Sequence, residues 1–184
     1  MTDNESKLPS IETLRRVVSY DAETGALVWI ARTADLFPQN SGRESFNRKY
    51  AGKPIGKRNA GYVIVNFSME GKPMSMQGHR LGFALHTGKW PEEEIDHRNL
   101  QRDDNRFDNL REASHAQNNQ NKTITTRNAS GFKGVHFHKN SGKWRAQLRI
   151  GSTRKDLGLH LTPELAGAAY AAASKQLHGQ FSNV

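Results

Sequence analysis

The sequence predicts an α+β protein built from two small modules, and three observations carry that expectation. Apolar residues alternate in short runs such as Gly61–Phe67 and Trp144–Ile150, the period of a half-buried strand, while Met76–Thr87 shows helical spacing. Gly, Asn and Asp interrupt the chain so often that each regular element must be short. Charge falls in blocks: Lys122–Lys155 holds nine Lys or Arg and no Asp or Glu, whereas Pro91–Glu94 is acidic. At 184 residues, such punctuation favours two domains over one.

Composition narrows the function classes. Net charge is +9, from 27 basic and 18 acidic residues, which favours a polyanionic partner. There is no cysteine, which removes disulfides and cysteine-ligated zinc and fits a reducing, cytoplasmic setting. No apolar run approaches the roughly 20 residues of a membrane span, and the opening MTDNESKLPS lacks the pattern of a signal peptide. A soluble protein without a membrane partner is expected.

From the N-terminus, residues 1–9 are polar and expected to be disordered. Ser10 is placed to cap a short helix carrying Ile11, Leu14, Val17 and Val18 on one face. Tyr20–Gly25 reads as a turn into a strand over Ala26–Ile30, with Leu27 and Trp29 on one side. Residues 31–60 are basic and weakly patterned. They read either as an irregular solvated loop or as a segment offering Lys49, Lys53, Lys57 and Arg58 to phosphates. Gly61–Phe67, the turn Met69–Lys72 and a second extended run predict a hairpin. Met76–Thr87 predicts a helix with Leu81, Phe83, Ala84 and Leu85 on its apolar face and Gly88 as its stop, and Trp90-Pro91 is expected to pack into the core.

The chemistry concentrates in Ile95–Lys122. Asp96 and Asn118 offer hard oxygen donors suited to a divalent cation such as magnesium. His97 has an ordinary pKa of about 6.5 and can accept a proton from water. Ser114-His115-Ala116-Gln117 fits a capping box, so a short helix begins near His115 with Asn118 in its first turn. The run Asn99–Asn105 is turn chemistry, and Asn109 is placed to hydrogen-bond backbone within that loop.

Asp96-His97, then Asn-x-x-x-Asn-Leu-Arg, then Gln-Asn-Asn-x-Asn resembles the HNH homing endonucleases, in their asparagine-liganded branch. The spacings are thirteen residues from Asp96 to Asn109 and twenty-two to Asn118. The resemblance implies a two-strand-plus-helix metal finger (ββα-metal, or His-Me finger). It implies that Asp96 and Asn118 bind one catalytic Mg2+, or Mn2+, that His97 is the general base, and that Asn109 fixes the loop. The distal ligand could slip to Asn119 or Asn121. His79-Arg80-Leu81 resembles a leader motif of this branch, with Arg80 then reaching a phosphate; an ordinary helix face is the alternative.

Thr123–Ser130 lacks periodicity and reads as a linker. Beyond it, strands are predicted over Gly134–His138, Trp144–Ile150 and Lys155–His160, followed by a helix capped by Thr162 with Pro163 at its first position. Leu165, Ala169, Ala172 and Leu177 form the expected buried stripe. Arg145, Gln147 and Arg149 share one strand face, Ala146, Leu148 and Ile150 the other. The features GFKGV, GKWRA, Leu157-Gly158 and the Thr-Pro-Glu helix start resemble the AP2 DNA-binding domain. That resemblance implies an open cationic face, with Lys133, His136, His138, Lys143, Trp144, Arg145, Gln147, Arg149 and Arg154 as DNA contacts.

The expected organisation is a nuclease module over 1–121, a linker over 122–130 and a DNA-binding module over 131–184. It resembles free-standing endonucleases of phages and mobile introns, acting on double-stranded DNA as a monomer or a dimer and leaving 5′-phosphate and 3′-hydroxyl ends. The competing reading is a non-catalytic DNA-binding or regulatory protein that keeps the finger as structure.

Overall fold

The computed structural model describes residues 8–37, 39–69, 72–124 and 128–183. The tip of the predicted hairpin at 70–71, the tail before residue 8 and part of the predicted linker lie outside these residues. The chain divides into two compact units, the first ending at Glu112 and the second starting at Ala113. The sequence placed the end of the first module at residue 121; by compactness the short helix after Ser114 groups with the second unit.

In the first unit, α1 (Ile11–Arg15) is capped as expected, the Ser10 hydroxyl accepting from Thr13 N–H at 3.1 Å. It is one turn shorter than predicted, because Val18 leaves the helix to open β1 (Val18–Tyr20), which pairs antiparallel with β2 (Leu27–Trp29). Asp21 builds the turn between them by accepting from the N–H groups of Glu23 and Thr24. Gly25 ends it at φ 73°, a conformation that disfavours a side chain.

Residues 31–60 hold two regular elements, α2 (Asn40–Tyr50) and the exposed strand β3 (Lys57–Asn59), with turns and irregular chain before and between them. Weak amphipathicity hides α2 from a pattern search, because tertiary contacts hold it. Phe46 meets Trp29 edge-on at 5.4 Å, Arg32 lies 3.5 Å over the Phe46 ring, and the Asn47 amide bonds both backbone groups of Arg32. Of the basic residues there, Arg58 pairs with Asp103 at 2.6 Å.

β3, β4 (Tyr62–Met69) and β5 (Lys72–Gln77) form an antiparallel sheet in that order. α3 (Gly78–Thr87) follows β5 directly, so Met76 belongs to the strand, and Gly88 stops the helix at φ 79°. Leu81 and Leu85 of α3 complete the main core with Leu14, Val17, Val18, Leu27, Val65 and Phe67. Trp90 packs at its edge as expected, its indole N–H donating to Pro9 O at 3.1 Å. β6 (Glu94–His97) pairs with β7 (Leu110–Ala113). A smaller cluster of Phe83, Ile95, Leu110 and Phe107 fixes β6 behind α3.

The second unit begins with α4 (His115–Asn121), which carries the predicted capping box: Ser114 and Gln117 bond each other's backbone reciprocally. β8 (Val135–His138), β9 (Lys143–Ile150) and β10 (Thr153–His160) form an antiparallel sheet with β9 central. α5 (Pro163–His178) covers one face, with the Thr162 hydroxyl accepting from Leu165 N–H at 3.3 Å. The buried stripe of α5 differs from the expected one. Ala166, Gly167 and Ser174 are buried, whereas Leu165, Ala172 and Leu177 face out. Small residues win because the ring of Phe132 lies directly on Gly167, leaving no room for a larger side chain. The end of β9 is also uncovered, so Ile150 is exposed rather than apolar core.

Candidate active site and nucleic-acid interface

Two adjacent residues of β6 take different partners. Asp96 accepts a hydrogen bond from Arg111 Nε of β7 at 2.8 Å and forms an ion pair with an Nη of the same guanidinium at 2.7 Å, and both side chains are almost completely buried. In a medium that penalises bare charge, the guanidinium keeps this carboxylate compensated. Arg111 stands in the Asn-Leu-Arg motif, yet nothing local to that motif gives it a role.

His97 is 5 % exposed. Its Nε2 lies 3.1 Å from Asn105 Oδ1, and its ring packs edge-on to His79 at 4.9 Å and tilted to Tyr62 at 6.1 Å. Burial lowers the His97 pKa below the ordinary histidine value, opposed by the bond to Asn105 and by the Asp96 charge. The ring is therefore neutral near neutral pH and able to accept a proton. His79 is 3 % exposed, and its Nδ1 is buried with no hydrogen-bond partner. Burial, helped by the neighbouring His97 and Arg80, lowers its pKa to about 3. In the sequence, His79 and Asn105 stand only as members of the quoted motifs, with no role of their own.

Asn109 does what its position suggested. It closes a turn of 3-10 helix (Phe107–Asn109), its Oδ1 accepting from Asn99 N–H at 3.0 Å and its Nδ2 donating to Asp104 O at 2.7 Å. Both ends of the Asn99–Asp104 excursion are thereby tied to one side chain. Asp104 is held well below the usual carboxylate range, chiefly by hydrogen bonds from Arg106. Arg80 spends its guanidinium on the carbonyls of Pro91 and Glu93, at 3.2 and 2.9 Å, so its observed task is to fix the turn before β6.

Asn118 stands half-buried in α4, in the second unit. Of its neighbours, Asn121 is buried and its carbonyl accepts from Asn183 at 2.8 Å, while Asn119 Oδ1 accepts from Lys122 at 2.5 Å. No cluster of three or more His, Cys, Asp or Glu side chains able to hold a metal exists among the described residues. Asp96 offers a carboxylate and Asn118 a carboxamide, each by itself an oxygen donor of the kind a hard cation takes.

On the sheet of the second unit, cross-strand register gathers the cationic residues. His136 lies opposite Arg145, His138 opposite Lys143, and Arg149 opposite Arg154. Gln147 lies opposite Asp156, whose carboxylate binds Arg145 at 2.6 Å. A backbone bond from Gly158, then Arg145, holds Asp156 below its ordinary pKa. Two expected members are placed elsewhere. Trp144 alternates onto the helix side with Ala146 and Leu148 and packs against the core of Val135, Ala146 and Ala166. The Lys133 amine is half-buried and donates to Gln120 O and Asn183 O, at 2.9 and 2.5 Å.

Comparison with known proteins bears on the first of these two regions. Residues 77–120 match the HNH endonuclease family model. The HNH match runs from the end of β5 to α4 and takes in His79, Asp96, His97, Asn105, Asn109, Arg111 and Asn118. A solved structure described as "DNA binding and cleavage by the HNH homing endonuclease I-HmuI" is similar over 92 % of this chain and 82 % of its own, with 18 % identity and a TM-score of 0.44. No curated protein matches the chain.

Proposed function

We propose that the protein is a DNA endonuclease that hydrolyses phosphodiester bonds, with His97 as general base and the sheet of the second unit gripping the duplex. The observation that carries this reading is His97 itself: a buried histidine, one residue from a buried carboxylate, within the HNH-matching segment. A neutral imidazole takes the proton of the water that attacks phosphorus, and the developing 3′ alkoxide leaves. Asp96 and Asn118 are the residues that would hold a divalent cation, Mg2+ or Mn2+, and bound there it would supply positive charge to the phosphate and the leaving oxygen. Asn118 is taken as the distal donor from its place in the Gln-Asn-Asn-x-Asn motif, twenty-two residues after Asp96. Asn109 maintains the loop between the two β strands, and Arg111 keeps the carboxylate oriented.

The face bearing His136, His138, Lys143, Arg145, Gln147, Arg149 and Arg154 supports the second half of the reading. An antiparallel sheet can enter the major groove, where Arg pairs with guanine and Gln with adenine. An AP2-like use of this sheet is part of the same proposal, with Lys133 and Trp144 contributing through packing; Arg80 acts on the turn before β6 instead.

The test is His97→Ala, assayed on plasmid and on a labelled duplex with Mg2+ or Mn2+. Cutting should fall at least about 100-fold, the lower range for loss of a positioned base, while duplex affinity is unchanged. A variant that cuts like wild type would remove His97 from the mechanism. A wild-type chain that binds duplex but never cuts with either metal would favour the non-catalytic alternative.

A further inference from the structure

The loop that faces His97 is held from behind by the N-terminal hairpin, 85 residues away in sequence. The Tyr20 hydroxyl donates to Asn105 O at 2.7 Å. A Cβ on Gly25 would lie 2.5 Å from the Asn105 carbonyl carbon, so backbone meets backbone there. Phe107 N–H donates to Ala22 O at 2.9 Å, fastening the same loop two residues on. On the other side, the first residue of α3 approaches closely: a Cβ on Gly78 would lie 3.2 Å from Asn105 Nδ2. Tyr20 is itself confined, because its ring occupies the space beside Gly82 that any side chain would need. Asn105 is 3 % exposed and has little room to turn.

That confinement has a chemical consequence at the imidazole. An amide oxygen can only accept, so the nitrogen 3.1 Å from Asn105 Oδ1 must carry the hydrogen. With Nε2 protonated in the neutral ring, the basic lone pair resides on Nδ1. The Asn105 oxygen thus selects one tautomer over the other.

We propose that Asn105 is a positioning residue that fixes the Nδ1-basic tautomer and the plane of His97, and that Tyr20 and the β1–β2 turn are its anchor. The N-terminal hairpin is then a working part of the nuclease centre rather than a scaffold. The mechanistic part of this inference rests on the reading of His97 as general base; the tautomer does not, and can be measured without DNA.

The experiment uses the full chain labelled with 15N-histidine, with the His97 ring assigned by comparison with His97→Gln. In wild type at neutral pH, Nε2 should show the shift of a protonated ring nitrogen and Nδ1 that of an unprotonated one. Asn105→Leu, which removes the acceptor at similar volume, should give a tautomer mixture. Its kcat for plasmid cutting should fall roughly 10- to 100-fold, the usual effect of losing an orienting partner, with KM for DNA unchanged. Asn105→Asp restores an acceptor and should recover the Nε2-protonated form and most of the rate. Tyr20→Phe leaves every His97 contact in place and should move both readouts in the same direction by less, which covers the case in which Asn105→Leu does not fold. An unchanged tautomer in Asn105→Leu and Tyr20→Phe, or a wild-type ring protonated on Nδ1, would overturn the proposal. If the wild type shows the expected tautomer yet cuts no DNA, the nuclease reading fails and the positioning stands.

Discussion

At the scale of single residues, the candidate centre is built from buried polar groups that each need a partner, and this makes it sensitive to both charge and pH. His79 is the clearest case. The fold accommodates its neutral ring between Tyr62 and His97, whereas the unfolded chain binds a proton below about pH 6.5. From there down to about 3, the folded pKa of His79, the unfolded state holds more protons. Stability therefore falls as pH falls through that window, and is independent of this group above it. His79→Phe has no ring nitrogen to protonate at this position. The loss of stability on going from about pH 7 to 5, measured by urea unfolding, should be smaller than in wild type by up to about 1.4 kcal/mol per pH unit. Equal losses in the two proteins would show that the ring protonates without penalty. Arg111 raises the opposite issue, a buried charge whose removal strands its partner. Arg111→Met should lower stability by about 3–5 kcal/mol, as is usual when one member of a buried pair is deleted. A loss under about 1 kcal/mol, within the range of an exposed pair, would mean that Asp96 finds another counter-charge.

Elements were legible in the sequence where local chemistry alone decides them. The caps at Ser10, Ser114 and Thr162, the stop at Gly88 and the hairpin of β4 and β5 each depend on a few neighbouring residues, and each stands where expected. α2 was not legible, because its polar surface has no stripe and its hold on the fold comes from Trp29 and Arg32, distant in sequence. The α5 stripe was misjudged for a related reason: hydrophobicity nominated Leu165 and Leu177, while close packing against Phe132 selected Ala166 and Gly167. Alternation along β9 correctly separated Arg145, Gln147 and Arg149 from Ala146 and Leu148, but could not reveal that Asp156 would neutralise Arg145 from the next strand. The same rule, applied one residue further, puts Trp144 on the packed side. From this comes a prediction for the sheet. Asp156 is an acidic residue placed opposite the cationic row, so Asp156→Asn should tighten duplex binding about 2- to 5-fold, the effect of about one unit-charge contact in water. Arg145→Ala with Arg149→Ala should weaken it and reduce the dependence of log affinity on log salt by about 0.9 for each phosphate that is no longer neutralised. Titrations at several salt concentrations measure both, and an unaltered slope in the double variant would take this face out of the interface.

For the whole molecule, the net charge of +9 and the division after Glu112 frame how binding and chemistry are shared. The HNH-matching segment runs past that division into α4. α4 is fastened within the second unit by Lys133 and Asn183, which donate to the carbonyls of Gln120 and Asn121. A chain carrying one Asp96-His97 pair has one general base to offer, and a single base can act on one strand at a time. On supercoiled plasmid with Mg2+ or Mn2+, open circles should therefore accumulate before linear DNA, at a rate proportional to protein concentration. Chelation with EDTA should stop the reaction without releasing the duplex, since the cationic sheet uses no metal, and replacing the cation should restore it. Linear product from the first time point, rising with the square of the protein concentration, would instead mean that two chains meet on the DNA and cut both strands together.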